Sequence, residues 1–321
     1  MNSRDLRIVF MGTPEFAVES LKALLISGKN IICVITSPDK PAGRGKQIQS
    51  SPVKQFAMEH NLPVLQPTNL KDPVFISTLT DLNPDLNIVV AFRMLPEIVW
   101  SLPSLGTFNL HASLLPNYRG AAPINWAIIN GESETGVTTF LIDHEIDTGK
   151  ILMQEKTIIG ENENAGELHD RLMTIGAKLV VKTTDALADN SIKPVAQSKL
   201  LPGARFKSAP KIFKDDCRIN WNNPVEQIDN FIRGLSPYPA AYCDFVSGKE
   251  SCFTKIFSAR KLMINHAVTP GTIESDGKKI LRIAAANGYL DIKSLQIAGK
   301  KRLNTDEFLR GFSHIEKYRA V

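Results

Sequence analysis

Long apolar runs are missing from this 321-residue chain, and no stretch approaches the roughly 18 consecutive apolar residues that a membrane-spanning helix needs. Cysteine is scarce: Cys33, Cys217, Cys243 and Cys252 are scattered, with no CxxC pair and no histidine cluster beside them. Structural zinc, a disulfide framework and a cysteine nucleophile are therefore not expected. The opening MNSRDLRIVFMG lacks the apolar core and small-residue cleavage site of a secretory signal, so the expected location is the cytoplasm, with no membrane partner. Three glycine signatures are absent as well. The first strand runs into GTPEF and not GxGxxG, which leaves a dinucleotide site, and with it a nicotinamide dehydrogenase, without support. No GxxxxGKS/T cradles a nucleotide phosphate and no GxSxG offers a nucleophile elbow. No pattern calls for a metal or a nucleotide cofactor.

What is present is an ordinary globular composition, 43% hydrophobic and 22% charged, long enough for about two domains. The net charge of +5 is unevenly spread. Residues 205–321 hold 20 Lys and Arg against 12 Asp and Glu, and the first 204 hold 18 against 21. A basic back half fits a polyanionic partner; a solvated basic surface explains it equally.

The front half alternates strand and helix signals. Apolar runs at 6–12, 30–37, 62–66, 86–92, 106–113, 137–143 and 151–159 read as strands, and 14–28, 123–131, 167–189 and a segment near 53–60 read as helices. The alternation predicts an α/β domain with a Rossmann-like, mostly parallel sheet covered on both faces. In the last of these helices Leu168, Leu172, Ile175 and Leu179 share one face. Periodicity disappears around 190–210, which reads as a linker. A helix at 225–235 and short strands around SGKE, SDGK and ANG then predict a small antiparallel barrel or sandwich. The expected division is 1–190, linker 191–209, and 210–321. One loop, PDKPAGRGKQIQSSP (38–52), has no periodicity; Gly43 and Gly45 make it pliant, and Lys40, Arg44 and Lys46 make it basic.

The chemistry-bearing stretch is NLHASLLP (109–116). In an extended segment Asn109, His111 and Ser113 point the same way, at the strand end where open α/β sheets bind ligands. An imidazole trades protons near neutrality and an amide donates to a developing oxyanion. The same spacing also suits polar groups satisfied by neighbouring loops. Asp147, in DTG between two predicted strands, is either a carboxylate near this edge or a plain turn residue.

Taken in order, FMGTPEFA (10–17), PDKPAGRGK (38–46), SSPVK (50–54), NLHASLLPNYRGAAPINWAI (109–128), DTGKIL (147–152), DCRINW (216–221) and IRGLSPYPAA (232–241) resemble the 10-formyltetrahydrofolate-dependent formyltransferases over nearly the whole chain. The resemblance implies a Rossmann-like catalytic domain followed by a small OB-like β-barrel. It implies 10-formyltetrahydrofolate as formyl donor, initiator methionyl-tRNA as acceptor, and a monomeric enzyme. The family's Asn-x-His and distant Asp fall on Asn109, His111 and Asp147. Its folate contacts fall on Ser113, Leu114, Leu115 and Pro116 and on Phe92, Arg93, Met94 and Leu95. The loop residues Lys40, Arg44 and Lys46 are implied to meet tRNA. Arg93 replaces the glycine of a common aromatic-Gly pair, and His144-Glu145 departs from shorter forms of that loop. Relatives acting on an amino-sugar nucleotide or glycinamide ribonucleotide share the Asn, His and Asp, so these three residues alone leave the acceptor open.

Overall fold

The computed structural model describes residues 2–42, 47–200 and 206–321. In its first part the chain forms β1 (Ile8–Gly12), α1 (Glu15–Ile26), β2 (Ile31–Ile35), β3 (Lys40–Ala42), β4 (Gln47–Gln49), α2 (Pro52–Glu59), β5 (Val64–Leu65), α3 (Pro73–Asp81), β6 (Leu86–Val90), α4 (Glu97–Trp100), β7 (Thr107–His111), α5 (Pro123–Ile129), β8 (Glu134–Leu141), β9 (Ile151–Ile158) and α6 (Ala165–Ala188). Seven of these strands make one sheet in the order β5-β2-β1-β6-β7-β8-β9. Pairing is parallel from β5 to β7 and antiparallel across β7-β8-β9. The mostly parallel sheet expected from the sequence is thus present. Its central β1 and β6 are buried at every position, which is why they read as unbroken apolar runs and not as alternation.

Local chemistry starts the helices. Ser51 accepts the Lys54 N–H at the head of α2, and Asp72 accepts from Val74 and Phe75 at the head of α3; both helices open with proline. On one face of the sheet Val9, Met11, Cys33, Ile35 and Val89 pack with Phe75, Leu79 and Val99 of α3 and α4. α6 lies close over β7 because Gly176 has no side chain: a Cβ there would come within 2.7 Å of Leu110 Cδ2.

Two local departures from the sequence reading matter. Among the described residues of 38–52, β3 and β4 pair antiparallel, Lys40 with Gln49 and Ala42 with Gln47. Its feet are pinned by Asp39 to Lys54 at 2.6 Å, Gln66 to Asp39 at 2.8 Å and Thr36 to Ser51 at 2.7 Å. Lys54 and Gln66, by bonding the Asp39 carboxylate, hold it below the usual carboxylate range. The strand read over 106–113 ends at His111, so Ser113 lies beyond it. There Thr138 Oγ1 donates to the Ser113 carbonyl at 2.6 Å and accepts the Leu115 N–H at 3.2 Å, turning the chain off the sheet.

After α6 come α7 (Val225–Leu235), β10 (Ala241–Ser247), β11 (Glu250–Leu262), β12 (Ile273–Ser275), β13 (Leu281–Ala284), β14 (Tyr289–Ile297), β15 (Leu303–Asn304), α8 (Thr305–Gly311) and β16 (Arg319–Ala320). These strands form an antiparallel sheet, β12-β13-β14-β11-β10-β16, with β15 beside β14. Its two ends meet. Thr272 bridges Arg319, and the Ala320 N–H donates to Gly271 at 2.9 Å, so the sheet is nearly closed into a barrel. Inside, Phe245, Ile256, Leu281, Ile283, Leu290 and Ile292 pack with Ile228, Ile232 and Leu235 of α7. Two compact units result: Met1–Gly120, Glu134–Ile158 and His169–Ser208 in one, and Ala121–Ser133, Ile159–Leu168 and Ala209–Val321 in the other. Among the described residues no helix is long and apolar enough to cross a membrane.

Candidate active site

β7 is flanked by β6 and β8, with Asn109 opposite Val89 on one side and Phe140 on the other, and His111 opposite Thr138. Two-residue alternation puts Asn109 and His111 on one face. The Asn109 amide is half-buried and has no hydrogen-bond partner among the described residues, so its donors and acceptor are free for a ligand.

His111 is committed on one side only. Its Nε2 is 2.8 Å from the Tyr118 carbonyl, which can only accept, so Nε2 carries a proton. Nδ1 faces Asp147 Oδ2 at 3.7 Å, beyond hydrogen-bond range, in a nook where the two side chains are 7% and 14% exposed. The Asp147 carboxylate is itself fixed by the Gly120 N–H at 2.9 Å. Asp147 has φ +56°, a left-handed conformation that Asp adopts more readily than most residues. Two residues on, Gly149 lies so close to the Leu141 carbonyl that no Cβ fits. DTG is thus a turn, and one that carries a carboxylate to the strand end.

The loop after β7 is held from below. Gln154 Nε2 donates to the Leu115 carbonyl at 2.9 Å, and Leu115 packs with Phe140 and Ile151. Ser113 is fully buried, its hydroxyl donating to the Asn117 carbonyl at 2.7 Å; Pro116 is buried and Leu114 half-buried. The other predicted segment follows β6. Leu95 is buried, Phe92 half-buried and Met94 exposed. Arg93 bonds the carbonyls of Pro67 and of Thr68, lies over the Phe92 ring at 5.5 Å, and leaves its Nε unpaired; burial lowers its pKa. Because β2, β6 and β7 run parallel, the 38–52 segment, 92–95 and 113–116 all leave the same edge of the sheet. Lys40 is exposed on β3, and Arg44 and Lys46 lie outside the described residues.

Sequence reasoning assigned no role to Tyr118, Arg119, Gly120 or Gln197. The first three stand inside NYRGAAP, where Tyr118 and Gly120 act through backbone groups, invisible to side-chain chemistry, and Arg119 through its guanidinium. Gln197 lies where periodicity had vanished. Among the described residues no group of three or more His, Cys, Asp and Glu gathers to hold a metal ion.

An unpaired amide next to a His–Asp pair at a strand end is equipment for acyl transfer: one donor for a developing oxyanion and one base for a proton. Known proteins agree on the class. The formyl transferase family model matches residues 6–184 and the formyl transferase C-terminal domain model matches residues 211–313; the chain belongs to the formyl transferase family. A methionyl-tRNA formyltransferase of Bacteroides thetaiotaomicron is 55% identical over 320 residues, 99% of each chain. That of Flavobacterium johnsoniae is 50% identical over 308 residues, 96% of each. Among solved structures, an N-formyltransferase from Helicobacter canadensis in complex with folinic acid and dTDP-3-aminofucose superimposes with a TM-score of 0.65 at 21% identity, over 89% of this chain and 98% of its own. HypX from Aquifex aeolicus in complex with tetrahydrofolic acid gives 0.63 at 18%, over 95% of this chain and 47% of its own. At such identities these two share the fold.

Proposed function

We propose that this chain transfers the formyl group of 10-formyltetrahydrofolate to the α-amine of initiator methionyl-tRNA. The His111–Asp147 pair beside the free Asn109 amide carries the assignment, supported by full-length relatives named for that acceptor. Asn109, His111 and Asp147 are the catalytic residues. Ser113, Leu114, Leu115 and Pro116 with Phe92, Arg93, Met94 and Leu95 form the folate side, where the buried Ser113 acts by shaping the loop. Lys40, Arg44 and Lys46, with the basic C-terminal domain, meet the tRNA. In chain order the catalytic domain is 1–190, the linker 191–209 and the tRNA-binding domain 210–321, and the enzyme works as a monomer in the cytoplasm.

An α-amine, with a reference pKa of about 7.7–8.0, must attack as the free base. Its lone pair forms a bond to the formyl carbon, and negative charge grows on the formyl oxygen, to which the Asn109 amide donates. Since Nε2 is spent on Tyr118, only Nδ1 of His111 faces the reaction. It takes the amine proton, the imidazolium is stabilised by the Asp147 carboxylate, and the proton passes to N10 as the C–N10 bond breaks. The 3.7 Å gap between Nδ1 and Oδ2 leaves both atoms accessible to one N–H or water.

The deciding experiment follows radiolabelled formyl from 10-formyltetrahydrofolate. Transfer to charged initiator tRNA well above elongator methionyl-tRNA is expected. Preference for an amino-sugar nucleotide or glycinamide ribonucleotide overturns the acceptor.

A further inference from the structure

Gln197 comes from the stretch that reads as a linker, yet it is 3% exposed. Its neighbours Val195 and Ile151 exchange backbone hydrogen bonds at 2.8 Å, fastening this stretch to β9. The Gln197 amide is used at both ends. Nε2 donates to the carbonyls of Asp147 at 2.9 Å and Gly149 at 2.8 Å. Oε1 accepts from Arg119 Nε at 3.1 Å and from its Nη2 at 2.6 Å. Arg119 lies over the Phe206 ring at 5.2 Å and pairs with no carboxylate among the described residues.

Two loops converge on His111: 118–120, whose Tyr118 carbonyl fixes Nε2 and whose Gly120 N–H fixes Asp147, and 147–149, which carries the carboxylate. Gln197 ties one to the other. We propose that Gln197 is a positioning residue that sets the Asp147 carboxylate against His111 by clamping the 147–149 turn to Arg119. This rests on Asp147 acting in formyl transfer. Only a neutral amide offers two donors to carbonyls and an acceptor to a guanidinium from one planar group. Glutamate keeps the Arg119 contact and turns a carboxylate onto two carbonyl oxygens.

The test compares full-length Q197A, Q197E, D147A and the Q197A/D147A double variant. Q197A and Q197E each lower kcat by about 10- to 100-fold, the penalty of a catalytic group displaced by about an ångström, with both KM values within about threefold of wild type. Added to D147A, Q197A costs under about twofold, because the group it positions is gone. An equal loss in both backgrounds, or near-native kcat in Q197A, overturns the proposal. If Q197A does not fold, Q197E carries the same cycle. Amide exchange at Gly120 reads the displacement without substrate and rises about tenfold or more in the folded variant; unchanged exchange overturns the proposal. A wild-type enzyme that exchanges normally at Gly120 but formylates no methionyl-tRNA sinks the acceptor assignment and leaves the clamp to the exchange measurement.

Discussion

The two sheets of this protein solve the problem of their edges in opposite ways. In the barrel the first and last strands meet through Thr272 and Arg319, and backbone ladders absorb the polar groups. In the other unit the parallel strands simply stop, and side chains take over: Thr138, Gln154 and Gln197 each bond backbone carbonyls that no ladder reaches. A closed sheet gains stability from its interior, whereas an open strand end gains function from ordered but unladdered loops. Losses in the barrel should therefore register as stability and losses at the open edge as rate.

Truncating a central barrel residue gives the largest expected effect. Phe245→Ala removes a fully buried ring and should cost about 3–5 kcal/mol in denaturant unfolding, with kcat of the folded fraction little changed. A comparable loss of kcat in the folded fraction would erase the distinction. At the open edge, His111→Ala, Asn109→Ala and Asp147→Ala should each lower kcat by about 10²–10³ while folding normally. Near-native turnover in purified His111→Ala would remove it from the chemistry. Arg44→Ala sharpens the comparison further. The KM for tRNA should rise on the order of tenfold, about 1.4 kcal/mol, with folate binding intact, and the slope of affinity against salt should fall by about one. Equal losses for tRNA and folate would deny the loop a tRNA-specific role.

The smallest effect concerns acid. Asp276, in the β12–β13 turn, accepts the N–H groups of Lys278, Lys279 and Ile280 at 2.9, 2.8 and 2.8 Å, and these hold its pKa at about 2. The folded value lies below the unfolded one of about 3.9, so the turn's contribution is full above pH 4 and fades as pH falls toward 2. Unfolding of Asp276→Asn at pH 5 and pH 3 should show a weaker acid dependence than the native chain. Equal dependence would exclude the turn.

Legibility followed the same divide. β1, β6 and α6 were plain because burial on both faces, or along one helical stripe, writes itself into apolar spacing. The β3–β4 hairpin was hidden because Pro41 cannot donate to a ladder and glycines interrupt the pattern. α3 carries its signal in Asp72 followed by Pro73, a cap with proline at the first helical position, and not in apolar spacing. At the candidate site Asn109 and His111 were visible as alternation, whereas Asp147 read equally as a turn residue until the family resemblance singled it out. The Tyr118 carbonyl and the Gly120 N–H belong to every residue alike, so no side-chain pattern announces them. Gln197 was illegible for another reason: a lone glutamine in an aperiodic stretch gains meaning only from the turns folded around it.

The route of the chain has a practical consequence. It enters the barrel unit three times, at Ala121–Ser133, Ile159–Leu168 and Ala209–Val321. A fragment ending at residue 208 would therefore keep α5 but lose the Gly234 surface that its Ile129 meets and the carbonyl that Asn125 bonds at 2.7 Å. No single cut in the gene separates the two units cleanly. Chimeras between relatives, split-protein complementation or expression of the barrel alone must carry 121–133 and 159–168 along with the C-terminal piece.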